Sequence, residues 1–141
     1  MKIVAKVLVL DRKGDILVLR RSTSHPRYSL HWDFPGGEVE EGEKSSDSAR
    51  REVKEETNMT ISTDELDLAY RKIVSDKLIH ELFTIRIDQI APEILTSWEH
   101  DDYRWIGIDN LLVEPVPSSA DPYFLDVMEW LSSGALDNYL N

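Results

Sequence analysis

The chain has 141 residues, 41% of them hydrophobic, and this size and composition predict one compact domain over residues 1–141 with a buried core. Its 27 acidic residues outnumber its 16 basic ones, and the net charge of -11 argues against a surface that follows a nucleic-acid polymer. Cysteine is absent, which excludes disulfide frameworks, thiol nucleophiles and zinc sites built on thiolates.

Two strands are predicted at the start of the chain. Lys2–Leu10 and residues 16–20 are rich in β-branched and apolar side chains, and the turn sequence DRKGD between them predicts a β-hairpin. The first apolar run is too short to span a membrane. It is followed by charge at Asp11 and by no small-residue cleavage site, so it does not read as a signal peptide. We therefore expect a cytoplasmic protein that does not bind a membrane.

The middle of the chain contains a loop and a helix. Residues 22–37 are rich in Ser, Pro and Gly without a regular period, which predicts an ordered loop that leads into a short strand. Trp32 and Phe34 lie in this loop, so part of it must pack. Ser45–Thr57 consists of good helix formers, and Asn58 is a residue that tolerates the left-handed conformation at a helix end.

Strands return in the second half. Residues 66–74 and 78–87 predict two strands joined by the turn SDK, and residues 102–108 predict another. Residues 122–131 place apolar side chains at helical spacing, with Asp121 as the expected N-cap. Because no repeat or linker interrupts this order, it predicts an α/β fold with a mixed sheet between helices.

The predicted helix at Ser45–Thr57 gathers acidic side chains on one face. At roughly 100° per residue, three glutamates fall within about a third of the helix circumference. These are Glu52, Glu55 and Glu56. Like charges one turn apart repel each other, so the face is either a solvated surface or a set of oxygen ligands for a hard divalent cation. Arg51, four residues before Glu55, could orient that carboxylate through an ion pair.

The segment before the helix favours the ligand interpretation. The sequence FPGGEVEEGE supplies a glycine pair at Gly36 and Gly37, followed by Gly42 and Glu43. Glycine allows backbone groups to approach a metal ion or a phosphate closely. A solvated helix face has no need of such a loop.

These residues together resemble the Nudix box of the Nudix hydrolases. The box reads glycine, five residues, glutamate, seven residues, and then Arg-Glu-apolar-any-Glu-Glu-any-Gly-apolar. The matching positions are Gly37, Glu43, Arg51, Glu52, Val53, Glu55, Glu56 and Met59. Asn58 stands where the box has glycine, which leaves the geometry of the turn after the helix as the point in question.

The resemblance implies a Nudix-type α/β/α sandwich and a catalytic site. It implies that Glu52, Glu55 and Glu56 are metal ligands, with the Gly36 carbonyl as a further one. Arg51 would orient the glutamates and Glu43 would support the site. The implied cofactor is Mg²⁺, with Mn²⁺ as a substitute.

The resemblance also implies an activity. Nudix hydrolases cleave a diphosphate linkage in nucleoside diphosphate derivatives. The expected substrates are a nucleoside triphosphate, cleaved by a pyrophosphohydrolase, or a dinucleoside polyphosphate, and the expected assembly is a homodimer. The alternative is a Nudix-fold regulatory domain that binds a nucleotide without cleaving it.

Several residues outside the helix are further candidates. Glu99, in TSWEHDDYRWIGI, is either the catalytic base, an extra metal ligand, or an acidic loop residue, and Trp98 either stacks on a base or packs. Arg20 and Arg21 either bind phosphate, or one of them is a surface arginine and the other forms an ion pair. Gly37 is expected to approach the substrate through its backbone. The loop residues His25, Arg27 and Tyr28 are expected at a substrate wall.

Overall fold

A seven-stranded mixed sheet forms the centre of the fold in the computed structural model, which describes residues 1–140. The strands are β1 (Lys2–Leu10), β2 (Ile16–Arg21), β3 (Trp32–Asp33), β4 (Gly36–Glu38), β5 (Asp67–Ser75), β6 (Leu78–Arg86) and β7 (His100–Ile106). The α-helices are α1 (Ser45–Thr57), α2 (Ile108–Leu112) and α3 (Pro122–Ser132). Short 3-10 helices lie at Thr63–Glu65 and Ala135–Tyr139.

β1 organises the sheet. It pairs in parallel with β6 along its whole length, and β5 pairs antiparallel with the other edge of β6. On its other side, β1 pairs with β2 only next to the turn, where Leu10 faces Ile16. Beyond that point the two strands separate, and β4 pairs with β1 while β3 pairs with β2. The predicted hairpin therefore exists at its turn, but its strands open to admit the segment with the glycine pair.

Helices cover both faces of the sheet. α1 buries Ala49 and Val53 in one core cluster with Val7 and Val9 of β1. α3 packs on the opposite face, in a second cluster that contains Leu8 of β1. Burial on both faces explains why β1 is almost continuously apolar instead of alternating with polar residues. The arrangement confirms the predicted α/β/α sandwich.

The predicted elements match the long elements of the structure. β1 and α1 have the predicted bounds, and the other long strands and α3 differ from prediction by one or two residues at their ends. Prediction missed β3, α2 and both 3-10 helices, which are too short to carry a hydrophobic period. No helix within residues 1–140 has the length and apolar character needed to cross a membrane.

Candidate active site

The acidic helix α1 ends at a residue in the left-handed conformation, the position at which the Nudix box has glycine. Asn58 has φ 64° and ψ 7°, the left-handed conformation, and its N–H donates to the Lys54 carbonyl at 3.0 Å. Asparagine adopts this conformation more readily than other residues that carry a side chain. The replacement of glycine by Asn58 therefore leaves the turn after the helix in the left-handed geometry.

The glycine pair lies directly against the helix. A Cβ on Gly36 would lie 2.4 Å from the Ala5 carbonyl oxygen, so only glycine fits at this crossing with β1. The Gly36 N–H donates to Glu56 Oε1 at 2.7 Å. A Cβ on Gly37 would lie 3.0 Å from the Glu52 carboxylate. The backbone of the pair therefore approaches two of the three predicted ligands.

Arg51 holds the acidic cluster together. Its guanidinium binds Glu43 through two hydrogen bonds of 3.0 and 3.1 Å. Its Nη1 also donates to Glu52 Oε1 at 3.1 Å and to Glu55 Oε1 at 3.3 Å. These hydrogen bonds raise the pKa of Arg51 above its ordinary value and lower that of Glu43. The predicted ion pair between Arg51 and Glu55 is present, and Arg51 orients the neighbouring carboxylates as well.

The three helix glutamates differ strongly in exposure. The side chain of Glu55 is 55% exposed, whereas those of Glu52 and Glu56 are 16% and 4% exposed. Burial raises the pKa of Glu56 well above its ordinary value. Burial is also the main reason that the pKa of Glu52 is raised, and the negative charges of Glu55 and Glu99 add to it. Burial disfavours the charged form of both carboxylates, and a cation placed beside them would favour that form.

The donor set fits a hard divalent cation. All donors at the glycine pair and on the acidic face are oxygens, the ligand type that Mg²⁺ prefers. Within residues 1–140, no three acidic or imidazole side chains already converge on one point as a ligand group. Such a cation commonly takes only one or two protein carboxylates and completes its shell with water and substrate phosphate. Glu52 and Glu56 are the two most buried candidates.

Glu99 approaches the acidic face from the loop before β7. Its carboxylate is 34% exposed and lies close enough to Glu52 to affect the pKa of that group. Trp98, which precedes it, is 67% exposed and does not belong to either core cluster. The structure therefore brings Glu99 near Glu52 and leaves the indole of Trp98 accessible.

Arg21 is not placed to bind a substrate phosphate. Its side chain is 6% exposed, and its Nη2 lies 2.5 Å from Asp33 Oδ2 and 3.0 Å from Asp121 Oδ2. Arg20, more exposed, donates from Nε to Asp101 Oδ1 at 2.8 Å. Both arginines thus form ion pairs, whereas the alternative interpretation expected an ion pair for only one of them. For Arg21 the physical reason is burial, because a substrate would have to displace two carboxylates to reach it.

Lys6 and His100 are buried beside the site, whereas the sequence indicated no role for Lys6 and predicted a loop residue at His100. Lys6 Nζ lies 2.5 Å from Asp33 Oδ2, and a lysine inside an apolar strand was a usable signal. His100 belongs to β7, not to a loop, and its Nδ1 lies 3.6 Å from Glu56 Oε2. Burial lowers the pKa of His100 to about 4. Its place next to Glu56 depends on strand pairing, which the local sequence does not encode.

Comparison with known proteins agrees with this geometry. A family model described as NUDIX domain matches residues 2–127. The CTP pyrophosphohydrolase of Escherichia coli is 31% identical over 114 residues, which are 81% of this chain and 82% of that protein. The asymmetrical bis(5'-nucleosyl)-tetraphosphatase of Mus musculus is 30% identical over 85 residues, which are 57% of this chain and 58% of that protein.

A solved structure resembles the whole fold. The crystal structure of a MutT protein from Methanosarcina mazei Go1 has a TM-score of 0.74 and 29% identity, and the match covers 94% of this chain and 93% of that one. The share of a curated relative that the chain spans varies, from 23% for one of them to 82% for the CTP pyrophosphohydrolase.

Proposed function

The chain belongs to the Nudix family and is a hydrolase of phosphoric anhydrides, and from that premise we propose that it cleaves a nucleoside triphosphate into a nucleoside monophosphate and pyrophosphate. The observation that carries the proposal is that Glu52 and Glu56 both lie against the glycine pair, while Glu99 lies near enough to Glu52 to affect its pKa. Similarity to a CTP pyrophosphohydrolase over most of both chains supports the triphosphate as the substrate class.

In this proposal Glu52, Glu55 and Glu56 hold Mg²⁺, or Mn²⁺ in its place, with the Gly36 carbonyl as a further donor. A bound divalent cation would screen the charge on the non-bridging phosphate oxygens and lower the pKa of a bound water. Arg51 keeps Glu52 and Glu55 oriented through its Nη1, and the Gly36 N–H fixes Glu56. Glu43 anchors Arg51 from the opposite side of the guanidinium.

The hydrolytic step needs a base and a held substrate. The oxygen of a water forms a bond to phosphorus, the bond from that phosphorus to the bridging oxygen breaks, and the leaving phosphate keeps the electron pair. The proton of the water passes to a carboxylate, for which we propose Glu99 because it is near Glu52 and still partly exposed. The Gly37 backbone would contact a phosphate of the substrate, and the Trp98 indole would stack on its nucleobase.

A dinucleoside polyphosphate is the second candidate substrate. It is supported by the similarity to the mouse tetraphosphatase, although that match spans little more than half of either chain. Both substrates contain the same phosphoric anhydride, so the same carboxylates would serve in either case.

A substrate panel tests the proposal. Nucleoside triphosphates, dinucleoside polyphosphates and nucleotide sugars are incubated with Mg²⁺ or with chelator, and pyrophosphatase is coupled so that released pyrophosphate is detected. We expect metal-dependent turnover of a triphosphate, lowered about 100-fold or more in Glu55→Gln, the scale on which one lost electrostatic group at a reacting centre acts. Glu41→Gln, an exposed glutamate in the loop before α1, is the matched control and should retain wild-type turnover.

The panel also separates the alternatives. Preferred turnover of a dinucleoside polyphosphate would select the second substrate class. Tight binding of a nucleotide without turnover of any panel member would favour a regulatory domain and would remove the catalytic roles proposed for the glutamates.

A further inference from the structure

The segment after β2 forms hydrogen bonds with the backbone around Glu99. The Ser22 N–H donates to the Glu99 carbonyl at 2.8 Å, and the Ser22 hydroxyl donates to the Trp98 carbonyl at 2.8 Å. Ser22 is itself buried. Ser22, the residue that follows β2, therefore fixes the two consecutive peptide groups on either side of the Glu99 side chain.

A β-bulge adjoins the same place. Arg20 pairs with Asp102 and Arg21 pairs with His100, so Asp101 is an extra residue on β7. One inserted residue reverses which face of the sheet the preceding residues point to. Bulges are over-represented beside active sites, where they redirect side chains. The side chain of the inserted residue Asp101 accepts a hydrogen bond from Arg20 Nε at 2.8 Å near the surface.

His25 faces the carboxylate of Glu99. Its Nδ1 accepts the Arg27 N–H at 3.2 Å, so a neutral ring carries its proton on Nε2. That Nε2 lies 3.7 Å from Glu99 Oε2. The separation exceeds a hydrogen bond, but catalytic hydrogen bonds are often long before substrate binds and shorten afterwards. The imidazole is therefore a donor with one fixed direction, and that direction is toward Glu99.

We propose that Ser22 and His25 position Glu99 for the hydrolytic step, Ser22 by fixing its backbone and His25 by orienting its carboxylate. The proposal rests on the proposed function, since it concerns the base of that reaction. Ser22 and His25 are positioning residues, because their contacts reach the reaction only through Glu99. Their loss should lower kcat and leave KM nearly unchanged.

Two amide variants of His25 test the proposal. The amide of glutamine reaches the position of the imidazole Nε2, whereas that of asparagine reaches only the position of Nδ1. We expect His25→Asn to lower kcat about 10- to 100-fold, the usual effect of removing a group that orients a functional side chain. His25→Gln should recover most of the wild-type kcat, a rescue that a general packing role would not produce.

A double-mutant cycle isolates the coupling through Glu99. If His25 acts only by orienting this carboxylate, adding His25→Asn to Glu99→Gln should produce no further loss of kcat. Ser24→Ala, an exposed side chain in the same loop with no hydrogen bond inside residues 1–140, is the control and should behave as wild type. Thermal unfolding of each variant checks that the fold is intact.

Three results would overturn the positioning role. The first is a wild-type kcat in His25→Asn. The second is an equal loss of kcat in His25→Asn and His25→Gln. The third is that His25→Asn lowers kcat by the same factor in the Glu99→Gln background as in the wild type. Each presupposes an active wild-type enzyme. A wild-type chain that hydrolyses no member of the substrate panel would instead contradict the proposed function, so the two failures are distinguishable.

Discussion

Asp33 accepts hydrogen bonds from two cations in a place closed to solvent. Lys6 Nζ and Arg21 Nη2 both lie 2.5 Å from its Oδ2, and its Oδ1 accepts the Phe34 N–H. Burial alone would raise the pKa of Asp33, but the two cations outweigh burial and hold the pKa below its ordinary value. The group joins β1, β2 and β3 where the first two strands separate, so its charge balance supports the opening that admits the glycine pair.

Loss of the Asp33 charge should destabilise the fold strongly. We expect Asp33→Asn to lower the free energy of unfolding by about 3–5 kcal/mol, because Lys6 would remain buried without a counter-ion and Arg21 would keep only Asp121. Asp101→Asn is the matched control, and it should have no measurable effect because its ion pair with Arg20 is exposed to solvent. Urea unfolding of both variants measures the difference, and similar values for the two would contradict this account.

The loss of stability caused by Asp33→Asn should depend on pH in a defined way. A carboxylate with a lowered pKa in the folded state stabilises the fold fully above its unfolded pKa, here 3.8, and loses that effect as the pH falls toward the folded-state pKa. The difference between wild type and Asp33→Asn should therefore be constant at neutral pH and shrink only below about pH 4.

At the scale of elements, the end of α1 depends on one residue in an unusual conformation. Asn58 is left-handed, and alanine in that conformation is strained by roughly 1–2 kcal/mol. We expect Asn58→Ala to destabilise the protein by about 1 kcal/mol and Asn58→Gly to be neutral or stabilising. Chemical denaturation of both variants compares them, and a stable Asn58→Ala would mean that the turn can take another geometry.

The length of an element decided whether the sequence could predict it. β1 and α1 carry nine and thirteen residues of consistent pattern, and their bounds were predicted as observed. β3 has two residues and α2 has five, too few for either period to appear. β7 was predicted over residues 102–108, two residues later than the observed strand, because its bulge interrupts the alternation near its start.

The candidate site shows the same division between local and distant information. The spacing of Arg51, Glu52, Glu55 and Glu56 lies within one helix, so their common face was predictable from helical geometry. The burial of Arg21 was not predictable, because its partners Asp33 and Asp121 come from distant parts of the chain. The position of His100 against Glu56 likewise arises from the pairing of β7 with β2.

For the whole molecule, a bound cation should act on stability as well as on catalysis. A ligand that binds only the folded state adds about 2.7 kcal/mol of stability at 100 times its Kd. For a chain of this size, each kcal/mol corresponds to roughly 2–4 °C in Tm. We therefore expect Mn²⁺ or Mg²⁺ to raise the Tm of wild type and chelator to reverse the rise.

Glu56→Gln provides the comparison for that measurement. This variant keeps the acceptor for the Gly36 N–H but removes a buried negative charge, so the rise in Tm with added cation should be clearly smaller. Glu41→Gln should respond like wild type. An equal rise in all three proteins would indicate that the cation binds elsewhere on the acidic surface.

The parallel pairing of β1 with β6 also constrains how the chain can acquire its structure. Lys2 pairs with Leu78 and Leu10 with Arg86, so β1 meets its principal neighbour across a sequence separation of 76 residues, which contains β2 to β5 and α1. Contacts of such high sequence separation slow folding. On the ribosome, the apolar N-terminal segment has to wait for the emergence of β6, and during that interval it is a segment on which chaperones would act.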